Sequence, residues 1–139
     1  MSVSIASVAR LATDQMFAGL DGVLRKGAAA ALSKGVDEGV YLNWRLAPDL
    51  LPLTRQVQFA TEIPAREHIK GHPSVPMDAD PDGEIKVPMG KEERAFTRIN
   101  FLQHFILPNL YFHTTTTYLI LRHLGVDIGK LDFMAAPPR

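Results

Sequence analysis

The sequence predicts an all-α protein in which long helices surround one core and a small β-hairpin precedes the last of them. Two long stretches, 4–33 and 97–124, repeat apolar residues at three- and four-residue steps, and a shorter one begins near Asp49. Between the second and the last of these, Pro73, Pro76, Pro81, Gly83, Pro88 and Gly90 break the chain too often for any long element. With 139 residues and 46% apolar composition the chain can build one core but not two, so 1–139 reads as a single domain.

Helix by helix, the first runs from Ser4 to Ser33 on Val8, Leu11, Met16, Leu20, Val23, Leu24, Ala28 and Ala31. Gly19, Gly22 and Gly27 each weaken it by up to ~1 kcal/mol relative to alanine, so it needs tertiary packing. Gly35 is the expected stop. A short helical turn follows over 37–43, and the Ala47-Pro48-Asp49 corner leads to a second main helix starting near 49–52, where an acidic cap and a first-turn proline suit an N-terminus. Leu53, Val57 and Ala60 share one face of it, with Gln56 beside them. Pro64 should stop or kink this helix, with one further turn over 66–70. Within the broken stretch, 84–87 and 94–97 pair as a hairpin in which Pro88 suits an edge strand.

The last helix organises the chain. Thr97 is its expected cap, Pro108 its kink and Gly125 its stop. Ile106, Leu110, His113, Thr117, Ile120, Leu121 and Leu124 fall on one stripe, the face a core helix buries. His113 lies near the centre of that stripe, and Asn109 can meet it across the (i, i+4) spacing. An imidazole in an apolar face must find a partner or lose its charge, which makes His113 the candidate for chemistry. Opposite, Tyr111, Thr115, Tyr118 and Arg122 form a stripe of the kind that concentrates at protein interfaces, where a second copy or simply another helix packs. The tail beyond Gly125 is expected to be irregular, with Phe133 folding back over the helix end.

Composition removes several function classes. Lys plus Arg and Asp plus Glu balance at 15 each, so no net field draws nucleic acid or an anionic membrane. No stretch reaches the roughly 18 uninterrupted apolar residues of a membrane span, and Asp14 and Asp21 interrupt the first helix before a signal-peptide core forms. The absence of cysteine excludes disulfides, a thiol nucleophile and thiolate metal ligands, and cytoplasm is the expected location. His68 and His72 have the spacing of a metal pair, but Gly71 and Pro73 argue against one helix through both.

The segments RLAPDLLPLTRQVQFA (45–60) and LPNLYFHTTTTYLILRHLGVDIGKLDF (107–133), with the hairpin IKVPMGKEERAFT, resemble an uncharacterised subfamily allied to the DinB/YfiT-type four-helix bundles. The resemblance implies an up-and-down four-helix bundle, commonly dimeric, with a pocket between helices, and it implies no activity. In the broader superfamily, metal-dependent transferases and hydrolases hold a metal through one histidine on the second helix and an HxxxH pair on the last. Those three positions are occupied here by Gln56, Asn109 and His113. Amide oxygens are poor ligands for zinc or nickel beside imidazole, so no metal and no cofactor is expected. A second departure is the third helix: where the resemblance implies one, only the proline-rich stretch remains. The expectation is that the sequence lacks residues of the natural polypeptide; otherwise a partner subunit closes the groove.

The reading that follows is a homodimeric bundle that binds a small organic molecule and carries out metal-independent isomerisation, cyclisation or addition with His113 as acid or base. Gln56 and Asn109 would orient the substrate or stabilise developing negative charge, and Thr117 would line the substrate pocket with them. The alternatives are a metal-dependent transferase or hydrolase with a degenerate ligand set, and a non-catalytic dimeric module in which His113 is a satisfied core residue.

Overall fold

The computed structural model describes residues 4–70 and 78–135, and for 63–70 the backbone alone. Helix α1 (Ile5–Ser33) starts where expected, because the Ser4 hydroxyl accepts from the Ser7 amide. Asp78 reinforces that start from a distant part of the chain: it accepts from the Ser4 hydroxyl at 2.6 Å and from the Ala6 amide at 3.3 Å. The Ser4 hydrogen bond holds the Asp78 carboxyl below the usual carboxylate range. At the other end Gly35 takes φ +61°, the left-handed conformation that closes a helix without a Cβ penalty. Asp37 caps the short α2 (Glu38–Leu42).

Helix α3 (Leu53–Lys70) begins after the 49–52 window, since Ala47 and Leu50 first close a turn and the Leu53 amide donates to the Trp44 carbonyl at 2.9 Å. It also continues through Pro64, so the helix does not stop there. The proline removes one amide donor, and a helix anchored by the buried Leu53, Gln56 and Ala60 extends past that loss.

Strands β1 (Glu84–Met89) and β2 (Glu92–Thr97) pair antiparallel, with Glu84 opposite Thr97 and Met89 opposite Glu92. Gly90 supplies the positive φ (+69°) of the two-residue turn. The ladder is two residues longer per strand than the sequence suggests, because in a two-stranded ribbon both strands are edges and Pro88 interrupts nothing beyond its own pair.

The organising helix comes in three parts: α4 (Arg98–Phe101), a π-helical turn over Leu102–Ile106, and α5 (Leu107–His123). Thr97 caps it as expected, accepting from the Asn100 amide. The disturbance expected at Pro108 takes the form of this π turn, which lies just ahead of the proline. A wider turn accommodates a ring that would otherwise crowd the carbonyl four residues earlier. After Gly125 (φ +75°) the tail is not wholly irregular: Lys130–Met134 forms α6, begun by the Asp132 carboxylate accepting from the Gly129 amide at 2.7 Å.

Helix α5 packs against both α1 and α3, and α6 lies on α1. One core cluster joins Val23, Ala31, Tyr41, Leu53, Ile120, Leu121, Val126 and Ile128; a second, beneath the hairpin, joins Ile5, Phe101, Leu102 and Ile106. The protein is thus mostly helical with one small antiparallel ribbon. Of the four long helices that the resemblance implies, three are present among the described residues. No helix among them is long and apolar enough to cross a membrane.

Candidate functional site

Packing of α3 on α5 brings together two of the four candidate residues. The His113 Nδ1 lies 2.7 Å from the Gln56 Oε1, and both side chains are buried, at 8% and 1% exposure. The other end of the Gln56 amide is also committed: its Nε2 donates to the Leu51 carbonyl at 3.1 Å. A carbonyl accepts only, so the nitrogen of the amide must face Leu51 and the oxygen must face the imidazole. It follows that the neutral ring carries its proton on Nδ1 and donates it to Gln56, leaving the Nε2 lone pair outward of that bond. Among the described residues Nε2 makes no hydrogen bond.

Two aromatic rings enclose the imidazole. Phe59 stacks on it at 5.3 Å and 19°, and Phe112 meets it edge-on at 5.2 Å and 84°. Burial among these groups pushes the His113 pKa below its ordinary 6.5. Below pH ~6.5 the unfolded chain therefore takes up a proton that the folded chain refuses, so stability falls as pH drops through that value towards the lower folded pKa. Urea midpoints at pH 7.5 and 5.5 should show this loss in the wild-type protein and a smaller one in His113→Gln; equal losses would place the sensitivity elsewhere.

Thr117 is fully buried, and its hydroxyl has no hydrogen-bond partner among the described residues. Its neighbours behave differently: Thr114 donates to the Leu110 carbonyl at 2.7 Å and Thr116 to that of Phe112 at 2.8 Å, which is how threonines are tolerated in a helix. A stranded hydroxyl costs about 1–3 kcal/mol. Thr117→Val, equal in shape, is accordingly expected to raise stability by about 1 kcal/mol in thermal or urea unfolding; an unchanged or lower stability would mean that the hydroxyl is satisfied in solution.

Asn109 is not part of this cluster. Its side-chain nitrogen donates to the Phe105 carbonyl at 2.7 Å, so the π turn ahead of Pro108 engages the amide that the (i, i+4) spacing offered to His113. The opposite stripe divides too. Tyr118 packs on Phe133 at 5.5 Å and Arg122 donates to the Ile128 carbonyl, so the chain's own tail covers that half, while Tyr111 and Thr115 stay exposed. His104 and His123 are exposed, His123 beside Trp44 at 5.7 Å. The side chain of His68 and all of His72 lie outside the described residues. An apolar cavity of about 90 Å³ between α1, α2, α3 and α5, lined by Leu24, Ala28, Leu53 and Leu121 among others, includes none of the four candidates.

The ligand set of the broader superfamily does not fit this site. One imidazole is present, its Nδ1 bonded to the very amide oxygen that would have to share a metal, and the Asn109 amide is engaged elsewhere. No group of three or more His, Cys, Asp or Glu residues among the described residues could hold a metal ion. Phe59 and Phe112 do not stand out in the sequence, although Phe59 follows Gln56 by one helical turn and shares its side of α3. The Leu51 carbonyl has no sequence signal at all.

No curated protein matches the chain. A solved structure described as a DinB family member protein from Shewanella denitrificans is similar, with a TM-score of 0.74 and 28% identity over 94% of this chain and 91% of that one. The profile of one family matches in two segments, 6–70 and 64–134, which overlap over 64–70 at the end of α3. Matched over nearly its whole length and built on a DinB-like fold, the chain belongs to the family described as Domain of unknown function (DUF1993).

Proposed function

We propose that the His113 site binds a small organic molecule and acts on it as a metal-independent general base through Nε2. The observation that carries this reading is the relay Leu51 carbonyl, Gln56 amide, His113 Nδ1, which fixes one tautomer of a buried neutral imidazole. A base so oriented removes a proton from a C–H or O–H acid, and the resulting imidazolium keeps its Nδ1–H bond to the Gln56 oxygen. Gln56 is neutral, so it orients the ring without raising its basicity as a carboxylate would; the reaction class is isomerisation, cyclisation or addition at an already acidic position. The amides of Gln56 and Asn109 are spent on the Leu51 and Phe105 carbonyls, which leaves the Thr117 hydroxyl as the candidate donor to a substrate oxygen. In the same reading the chain is one domain, a bundle of the up-and-down four-helix type, and a second copy covers the exposed Tyr111, Phe112, Thr115 and Leu119 of α5.

Native mass spectrometry of the purified protein tests this directly. A retained organic mass without metal, present in the wild type and lost in a folded His113→Gln variant, is the expected result. Stoichiometric metal, or an adduct indifferent to His113, would overturn it.

A further inference from the structure

The aromatic wall of the His113 site carries a positive charge on its exposed side. Arg55, in the first turn of α3, places its guanidinium carbon 5.1 Å from the centroid of Phe59, the ring that stacks on His113. The guanidinium has five N–H donors, and one contact is seen, Nη1 to the Gln58 Oε1 at 2.6 Å. The ion pairs among the described residues engage Arg10, Arg25 and Lys26, not Arg55. A guanidinium laid over an aromatic face is weakly hydrated and keeps the fork that matches a carboxylate.

Farther in, the described residues bring no charge: the buried polar side chains among them are Gln56, His113, Thr114, Thr116 and Thr117, and the imidazole is neutral. An anion buried there would find no countercharge, and desolvating it would cost more than these groups return. An amine would meet Arg55 at the surface and be repelled. A molecule with an acidic group at one end and an uncharged body matches both regions.

We infer that the ligand of this site is a small organic acid, its carboxylate held at the surface by Arg55 and its uncharged end beside His113, so that Arg55 determines specificity. This rests on the small-molecule reading above and names its substrate class.

The test is a titration of the His113 ring signals by NMR in the full-length protein, using matched acid and amide pairs: 3-phenylpropanoate with 3-phenylpropanamide, and butyrate with butyramide. Each acid is expected to bind at least tenfold tighter than its amide in the wild type. Arg55→Gln should erase that preference, weakening the acid to the level of its amide, and Arg55→Lys, which keeps charge but not the fork, should retain part of it. Equal binding of acid and amide, or an Arg55→Gln variant that still prefers the acid, would overturn the assignment of Arg55 and leave the small-molecule reading standing. No shift of the His113 signals with any probe would overturn both.

Discussion

Gln56→Leu is expected to lower stability by about 1–3 kcal/mol, because it strands the buried Nδ1–H of His113 and also takes the partner from the part-buried hydrogen bond of the Leu51 carbonyl. Leucine is close in volume, so a cavity does not account for the loss. Urea unfolding measures it, and a cost below ~1 kcal/mol would show that the Gln56 hydrogen bonds carry little weight. The double variant Gln56→Leu, His113→Phe removes donor and acceptor together and should recover part of the loss, since only the Leu51 carbonyl then lacks a partner. On the proposed reading, ligand binding should not return with it. That dissociation of stability from binding is what a purely structural role for the pair does not produce.

Gly19→Ala is expected to destabilise by about 1–3 kcal/mol, the usual range for overpacking, even though alanine is the better helix former. A Cβ at Gly19 would stand 2.0 Å from the Phe133 carbonyl oxygen, which is backbone and cannot turn aside. Pushing α6 away would also break the packing of Tyr118 on Phe133, the Lys26–Asp132 ion pair and the Gln15 hydrogen bond to the Met134 carbonyl. Limited proteolysis should find 130–134 newly sensitive. Gly22→Ala is the control: nothing lies within 4 Å of its Cβ, and it should stabilise α1 by roughly 0.5–1 kcal/mol. If the two variants behave alike, α6 is not docked through Gly19.

These two glycines show where reading a chain from its own residues stops. In the sequence Gly19 and Gly22 are the same signal, a helix interrupted by weak formers three residues apart. What separates them is the approach of α6, a segment more than a hundred residues away and itself too short to show a helical period. The same holds at the π turn. Pro108 announces a disturbance of the last helix, but the direction of relief, a widened turn that engages the Asn109 amide, depends on how Phe101, Leu102 and Ile106 are held beneath the hairpin.

The long helices, apart from the run of the second past Pro64, their caps at Ser4 and Thr97, their glycine stops at Gly35 and Gly125, the hairpin, and the burial of His113 are legible in the residues themselves. Each follows from local backbone preferences and from which side chains share a helical face. Packing between elements was needed to select Gln56 over Asn109 as partner of the imidazole, to assign the proton to one ring nitrogen, to bring Phe59 and Phe112 around it, and to leave Thr117 without a partner among the described residues. Hydrogen bonds between elements depend on the axial register of one helix against another. That register is set by packing across the whole core, which periodicity along a single helix does not encode.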